Sequence, residues 1–155
     1  MRTLKERLLR EMKKQSRLNY KYMGKKTFTG INIQFPISTL ILEGTKTVET
    51  RVYPLPERLI GKELAIVETP GPTGKFKSRI VGIIVFGQSN RYKSAKDFYL
   101  DHGRHRVTKD SPWAWDAKKK KWAWPIIKVV KFKKEIPLTK RPGIIYSKDL
   151  EVTAL

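Results

Sequence analysis

A small α+β domain, a mixed β-barrel with short flanking helices and an N-terminal helix, is the fold that this 155-residue sequence predicts. Three observations carry the expectation. Short runs rich in Ile, Val and Phe recur along the chain, each bounded by Gly or Pro, as many brief strands require. The helical patterns are short and do not alternate regularly with the strands, which argues against a βαβ sheet. Neither G-x-G-x-x-G nor a Walker sequence occurs, so the usual phosphate-cradling loops are missing and no cofactor is expected.

The elements follow in chain order. Residues 3–14 read as a helix, with Leu4, Leu8, Leu9 and Met12 on one face and Arg and Lys on the other; Thr3 and Glu6 stand at capping-box spacing. Residues 15–29 are polar and basic and contain Gly24, so they read as a connector. Residues 1–29 are thus one unit, and the barrel domain occupies 30–155. Residues 30–35 alternate apolar and polar side chains like a strand. Pro36 opens a short helix through Glu43, and Gly44 stops it. Residues 46–53 return to an extended, β-branched pattern until Pro54 and Pro56 break it. Residues 64–68 and 78–86 are strands on either side of a turn at 70–74. Ser94 caps a short helix that ends at Leu100. Residues 122–133 form a strand, and 143–146 a last one.

Charge narrows the partner. Lys and Arg number 34 against 14 acidic residues, a formal net charge of +20. Such a surplus repels itself in a compact fold, and an anionic partner relieves it. The charge is uneven, with ten Lys/Arg against two Glu in residues 1–30. Cysteine is absent, which excludes disulfides and thiolate zinc sites. No apolar run is long enough to span a bilayer, and the first residues lack a signal-peptide h-region. The expectation is a cytoplasmic, soluble monomer whose partner is RNA or another nucleic acid, with no membrane partner and no metal.

The chemistry concentrates in Gly44-Thr45-Lys46-Thr47-Val48-Glu49-Thr50-Arg51. The pattern G-x-K-x-x-E-x-R sets three charged groups beside a turn. In a strand, Thr47, Glu49 and Arg51 share one face because side chains alternate. Arg51 offers a planar fork suited to phosphate, and Lys46 sits at the mouth of the turn. A lysine near a glutamate and an arginine either binds an anion or takes part in catalysis; if this is an enzyme, Lys46 is the best catalytic candidate. Elsewhere, Trp113 with Trp115 and Trp122 with Trp124 stand at i, i+2, so each pair shares a strand face, and four lysines at 118–121 lie between the pairs. Exposed tryptophans among lysines suit base stacking; Trp113 and Trp115 are the exposed pair, Trp122 and Trp124 the packed one. The lysine run reads as a solvated hairpin. Residues 101–106 hold both histidines, His102 and His105, in a basic loop whose Arg104 and Arg106 suit phosphate contacts, and Arg91 extends that positive side.

The motif resembles the signature of the ASCH (activating signal cointegrator homology) domain family, which has a PUA-like β-barrel fold. Residues 78–86 resemble that family's central strand; Trp122-Ala123-Trp124, residues 132–137 and Pro142-Gly143 resemble its C-terminal strand and closing turn. The likeness runs in order from about Ile31 to Tyr146. It implies a cleft lined by Lys46, Glu49 and Arg51 that binds RNA or a modified nucleoside. Members of the family include an amidohydrolase group acting on acetylated cytidine and a group that cleaves RNA. In the amidohydrolases the motif lysine is catalytic, with a threonine three residues later; here Lys46 matches the lysine and Glu49 occupies the threonine position. That departure moves the expectation from catalysis towards nucleic-acid binding. A hydrolase acting on RNA or a modified nucleoside is the alternative.

Overall fold

The computed structural model of the chain describes residues 3–21, 26–138 and 141–152. Its first element closes the capping box that the spacing predicts. Glu6 N donates to Thr3 Oγ1 at 3.2 Å, and Thr3 N donates to Glu6 Oε2 at 3.0 Å. The helix so capped, α1 (Leu4–Lys21), runs well past residue 14. The long Lys, Arg and Gln side chains that look like a connector are good helix formers. β1 (Lys26–Gln34) likewise starts earlier than the alternation from residue 30 indicates. Gly24 lies outside the described residues.

Most later elements fall where the sequence places them, but the last strand begins only at Tyr146, where 143–146 was expected. The elements after β1 are α2 (Ile37–Leu42), β2 (Val48–Arg51), β3 (Leu64–Thr69), β4 (Arg79–Phe86), β5 (Asn90–Arg91), α3 (Ala95–Leu100), α4 (His102–His105), β6 (Trp122–Pro137) and β7 (Tyr146–Val152), with a 3-10 turn at Glu57–Leu59. Ser94 caps α3 as expected, its hydroxyl accepting from Asp97 N at 3.2 Å. Residues 102–105, expected to be loop, form α4 instead. Three backbone N–H groups, of Arg104, His105 and Arg106, donate to carbonyls of the turn from Asp101 to His102.

The strands form one mixed sheet in the order β2-β6-β4-β3-β1-β7, with β5 on β6. The end strands β2 and β7 do not pair, so the sheet is open and the closed barrel expected from the sequence is not formed. Closure depends on strand tilt and stagger around the whole sheet, which a count of short strands does not carry. Here β6, 16 residues long, bridges two groups of strands. Its first residues pair with β2, from Val48↔Pro125 to Arg51↔Trp122, and the remainder pairs with β4. β1 joins β3 in parallel, the remaining described pairs being antiparallel.

Both faces of the sheet are packed. One cluster contains Ile31, Ile33, Ile41, Leu64, Ile66, Ile84, Phe86 and Trp124; the other contains Phe28, Ala65, Val67, Ile80, Ile83, Leu150 and Val152. β3 shows the simple alternation behind this. β4 does not, because Ile80 and Ile83 share one cluster while Val81 and Ile84 share the other. A bulge explains the switch: Ile66 pairs with Gly82 but Val67 pairs with Ile80, leaving Val81 as the extra residue. One inserted residue flips every following side chain to the opposite face. Gly82 permits the close approach that follows, since a Cβ there would lie 2.3 Å from Val130 O. Gly82→Ala therefore lowers stability by about 1–3 kcal/mol, read as a lower urea midpoint with an unchanged slope.

Candidate functional site

The turn after α2 delivers the lysine. Gly44 has φ of 80°, a left-handed conformation that favours glycine, and the N–H groups of Thr45 and Lys46 both donate to Leu40 O at 3.0 Å. The chain then enters β2, whose pairing with β6 sets Glu49 opposite Trp124 and Arg51 opposite Trp122. Glu49 and Arg51 thus share a face, as the alternation predicts.

These three side chains form one network, with Lys46 and Glu49 buried and Arg51 partly so. Lys46 is only 3% exposed and Glu49 only 6%. Lys46 Nζ donates to the backbone carbonyl of His105 and lies 3.7 Å from Glu49 Oε1. Glu49 Oε1 also accepts from Thr50 N at 2.9 Å, while Oε2 lies 3.5 Å from Arg51 Nη2. Arg51 Nη2 donates to Asn32 O at 2.8 Å, and its guanidinium lies 5.5 Å from the centroid of the Trp124 ring. Burial pushes the Lys46 pKa below its ordinary value, with the neighbouring Glu49 opposing the shift. Burial pulls on Arg51 too, but Glu49 and Tyr53 outweigh it and raise the guanidinium further. Two cations against one carboxylate leave the network with a positive excess.

The network faces a cavity of about 240 Å³. Lys46, Glu49, Thr50 and Arg51 line it together with Asn32, Gln34 and Thr69, and Ile37, Val107, Trp113 and Ile144 supply its apolar walls. Of the residues singled out in the sequence, Lys46, Glu49, Arg51 and Trp113 are therefore brought together. Trp113 is 48% exposed, and its backbone O accepts from Lys121 Nζ at 2.7 Å.

The other candidates do not line this cavity. Residues 113–115 are turn and irregular backbone, not a strand, so Trp113 and Trp115 do not share a strand face. Trp115 packs instead on Phe98, ring centroids 5.8 Å apart. Arg91 is exposed on β5. Arg104 grips Asp101 with Nη2 at 2.9 Å from Oδ2, and Arg106 Nε donates to Thr45 O at 3.1 Å. Trp124 is fully buried against Tyr53 and Phe86, as expected of the packed pair.

Two residues emerge with roles that the sequence pattern hid. Lys121, the last of a lysine run, is 6% exposed, its ammonium 5.7 Å from the Phe98 ring centroid; burial lowers its pKa. Nothing in a run of four lysines distinguishes the buried one. His105 is fully buried and stacks on Phe98 at 4.1 Å. Its Nδ1 accepts from Val107 N at 2.9 Å, so Nε2 carries the proton and donates to Phe98 O at 2.7 Å. A visible signal was the neighbouring run of aromatics at Tyr92, Phe98 and Tyr99.

No protein-family model and no curated protein matches this sequence. Solved structures do. The crystal structure of ASCH from Zymomonas mobilis aligns with a TM-score of 0.58 at 16% identity, covering 77% of this chain and 85% of that one. A serine and a tyrosine variant of the same protein align at the same score and identity, with 86% and 88% of their chains covered. The chain therefore shares the α+β fold of this ASCH structure.

His105 sets a pH dependence. Burial lowers its pKa from the ordinary 6.5, Phe98 O and Asp101 opposing and Lys46 and His102 assisting. Between the lowered value and 6.5 the unfolded chain binds more protons than the folded one, so stability falls as pH drops through this window. Asp101, held below 3.8 despite burial by Arg104 and Tyr92, loses its contribution only at lower pH. Thermal unfolding from pH 7 to pH 5 is expected to show a declining Tm, with a shallower decline for His105→Gln.

Proposed function

We propose that the cavity binds single-stranded RNA, with a base or phosphate group held against the Lys46–Glu49–Arg51 network. The observation that carries this reading is a buried, positively charged network on the floor of a cavity that also has a tryptophan wall. Buried donors already fixed by protein contacts attract acceptor groups without having to reorganise. Trp113 supplies an aromatic surface for stacking, and the overall charge of +20 supplies sequence-independent attraction to the backbone. The PUA-like fold agrees with this reading.

A second reading rests on one observation, the lowered pKa of Lys46. Burial increases the share of neutral amine, which is the nucleophilic and basic form. Lys46 would then act in hydrolysis of RNA or of an acylated nucleoside. The carboxylate of Glu49 works against this, because it stabilises the ammonium. Binding is the better supported function.

Fluorescence anisotropy with a short unstructured RNA tests the proposal. Lys46→Met is expected to weaken binding at least about tenfold, while circular dichroism shows the fold retained. Trp113→Ala is expected to cost about 1–3 kcal/mol of affinity, the usual worth of one stacked base. Affinity should fall with salt by about 0.7 log units per log unit of salt for each phosphate contacted, and a flat response would sink the idea. Turnover of RNA or acylated cytidine that disappears in Lys46→Met would establish the hydrolase instead.

A further inference from the structure

α1 leaves an apolar stripe uncovered. Leu4, Leu8, Leu9 and Met12 are 72%, 55%, 47% and 67% exposed. They stand at i, i+4, i+5 and i+8, so they share one face of the helix, with Lys5 among them, over a little more than two turns. Arg7 and Arg10 stand on the opposite side, and the first thirty residues carry ten Lys/Arg against two Glu. The capping box at Thr3 and Glu6 fixes where this helix begins. Four large side chains at helical spacing are more than a scatter of surface leucines.

We infer that α1 is a surface-seeking helix that lies in the headgroup region of an anionic lipid bilayer. Two properties on the page select that occupant. A polyanion such as RNA satisfies the arginines but leaves the leucine face in water. A second copy of the chain covers the leucines but brings two strongly basic helices together, which charge repulsion opposes. An anionic bilayer meets both needs at once, because acyl chains take up the apolar face while headgroup phosphates pair with the cations. Among the described residues no helix is long and apolar enough to cross a membrane, so the contact is peripheral. The expectation of no membrane partner was drawn from the lack of a spanning segment, which does not bear on a helix lying flat.

Co-sedimentation of the full chain with vesicles tests this, using phosphatidylcholine alone and phosphatidylcholine mixed with phosphatidylglycerol. Partitioning onto the anionic vesicles is expected to exceed that onto the neutral ones by at least about tenfold, given the marginal affinity of a short helix for neutral lipid. A double variant, Leu8→Gln with Met12→Gln, keeps charge and helix propensity while removing two of the four apolar side chains, and it is expected to lose most of that partitioning. Equal partitioning by the variant would mean that the positive charge alone acts, and would overturn the inference. So would failure of the wild-type chain to sediment with anionic vesicles, or a lipid-free dimer that the double variant converts to monomer. Because the variant leaves the cavity untouched, unchanged RNA affinity separates this result from the fate of the proposed function.

Discussion

One carboxylate, Glu49, connects the parts of the molecule that matter here. It stands between the ammonium of Lys46 and the guanidinium of Arg51 where water hardly reaches. Through these partners it touches two other elements, because Lys46 reaches the carbonyl at the end of α4 and Arg51 reaches the carbonyl of Asn32 in β1. Removing Glu49 leaves two cations without their counter-ion, which typically costs about 3–5 kcal/mol, whereas removing Lys46 leaves Glu49 paired with Arg51. The network is therefore both a structural clamp and the charged floor of the cavity. A clamp that remains cationic after internal pairing still has electrostatic potential to offer a ligand.

Local signals were legible where a residue's chemistry acts on its own neighbours. Thr3 with Glu6, Ser94 and Gly44 each do what their type does at a helix end, and Glu49 with Arg51 share a face because strands alternate. What was not legible depends on distant partners. Lys121 is buried because Trp113 and Phe98 come to it, not because of anything in its own run of lysines. His105 is a core residue because α3 brings Phe98 alongside it. Closure of the sheet is likewise a property of the sum of registers, and the register shifts on β4 and β6 are invisible in a list of apolar residues.

The fold separates two uses of charge. Most of the basic residues are exposed and supply diffuse attraction that salt screens. Lys46, Arg51 and Lys121 are withdrawn from water, and each is fixed by a backbone carbonyl: those of His105, Asn32 and Trp113. Withdrawn cations are screened far less, and their positions are set before a ligand arrives. Aromatic packing underlies that order, with Trp124 beneath Arg51 and Phe98 near Lys121. The same arrangement that builds the core therefore determines where the site's positive charge lies.

α4 gives the His105 ring to the aromatic cluster and the carbonyl of the same residue to Lys46, 59 positions earlier in the chain. A helix of four residues has no second turn to hold these contacts if that one turn opens. Each opening would release the ring and the carbonyl together, wet the ammonium and return it to its ordinary proton affinity. The water exposure of Lys46 is thus tied to the integrity of one helical turn. Exchange of the amide protons of residues 104–106 and titration of the lysine then report a single motion seen from two ends.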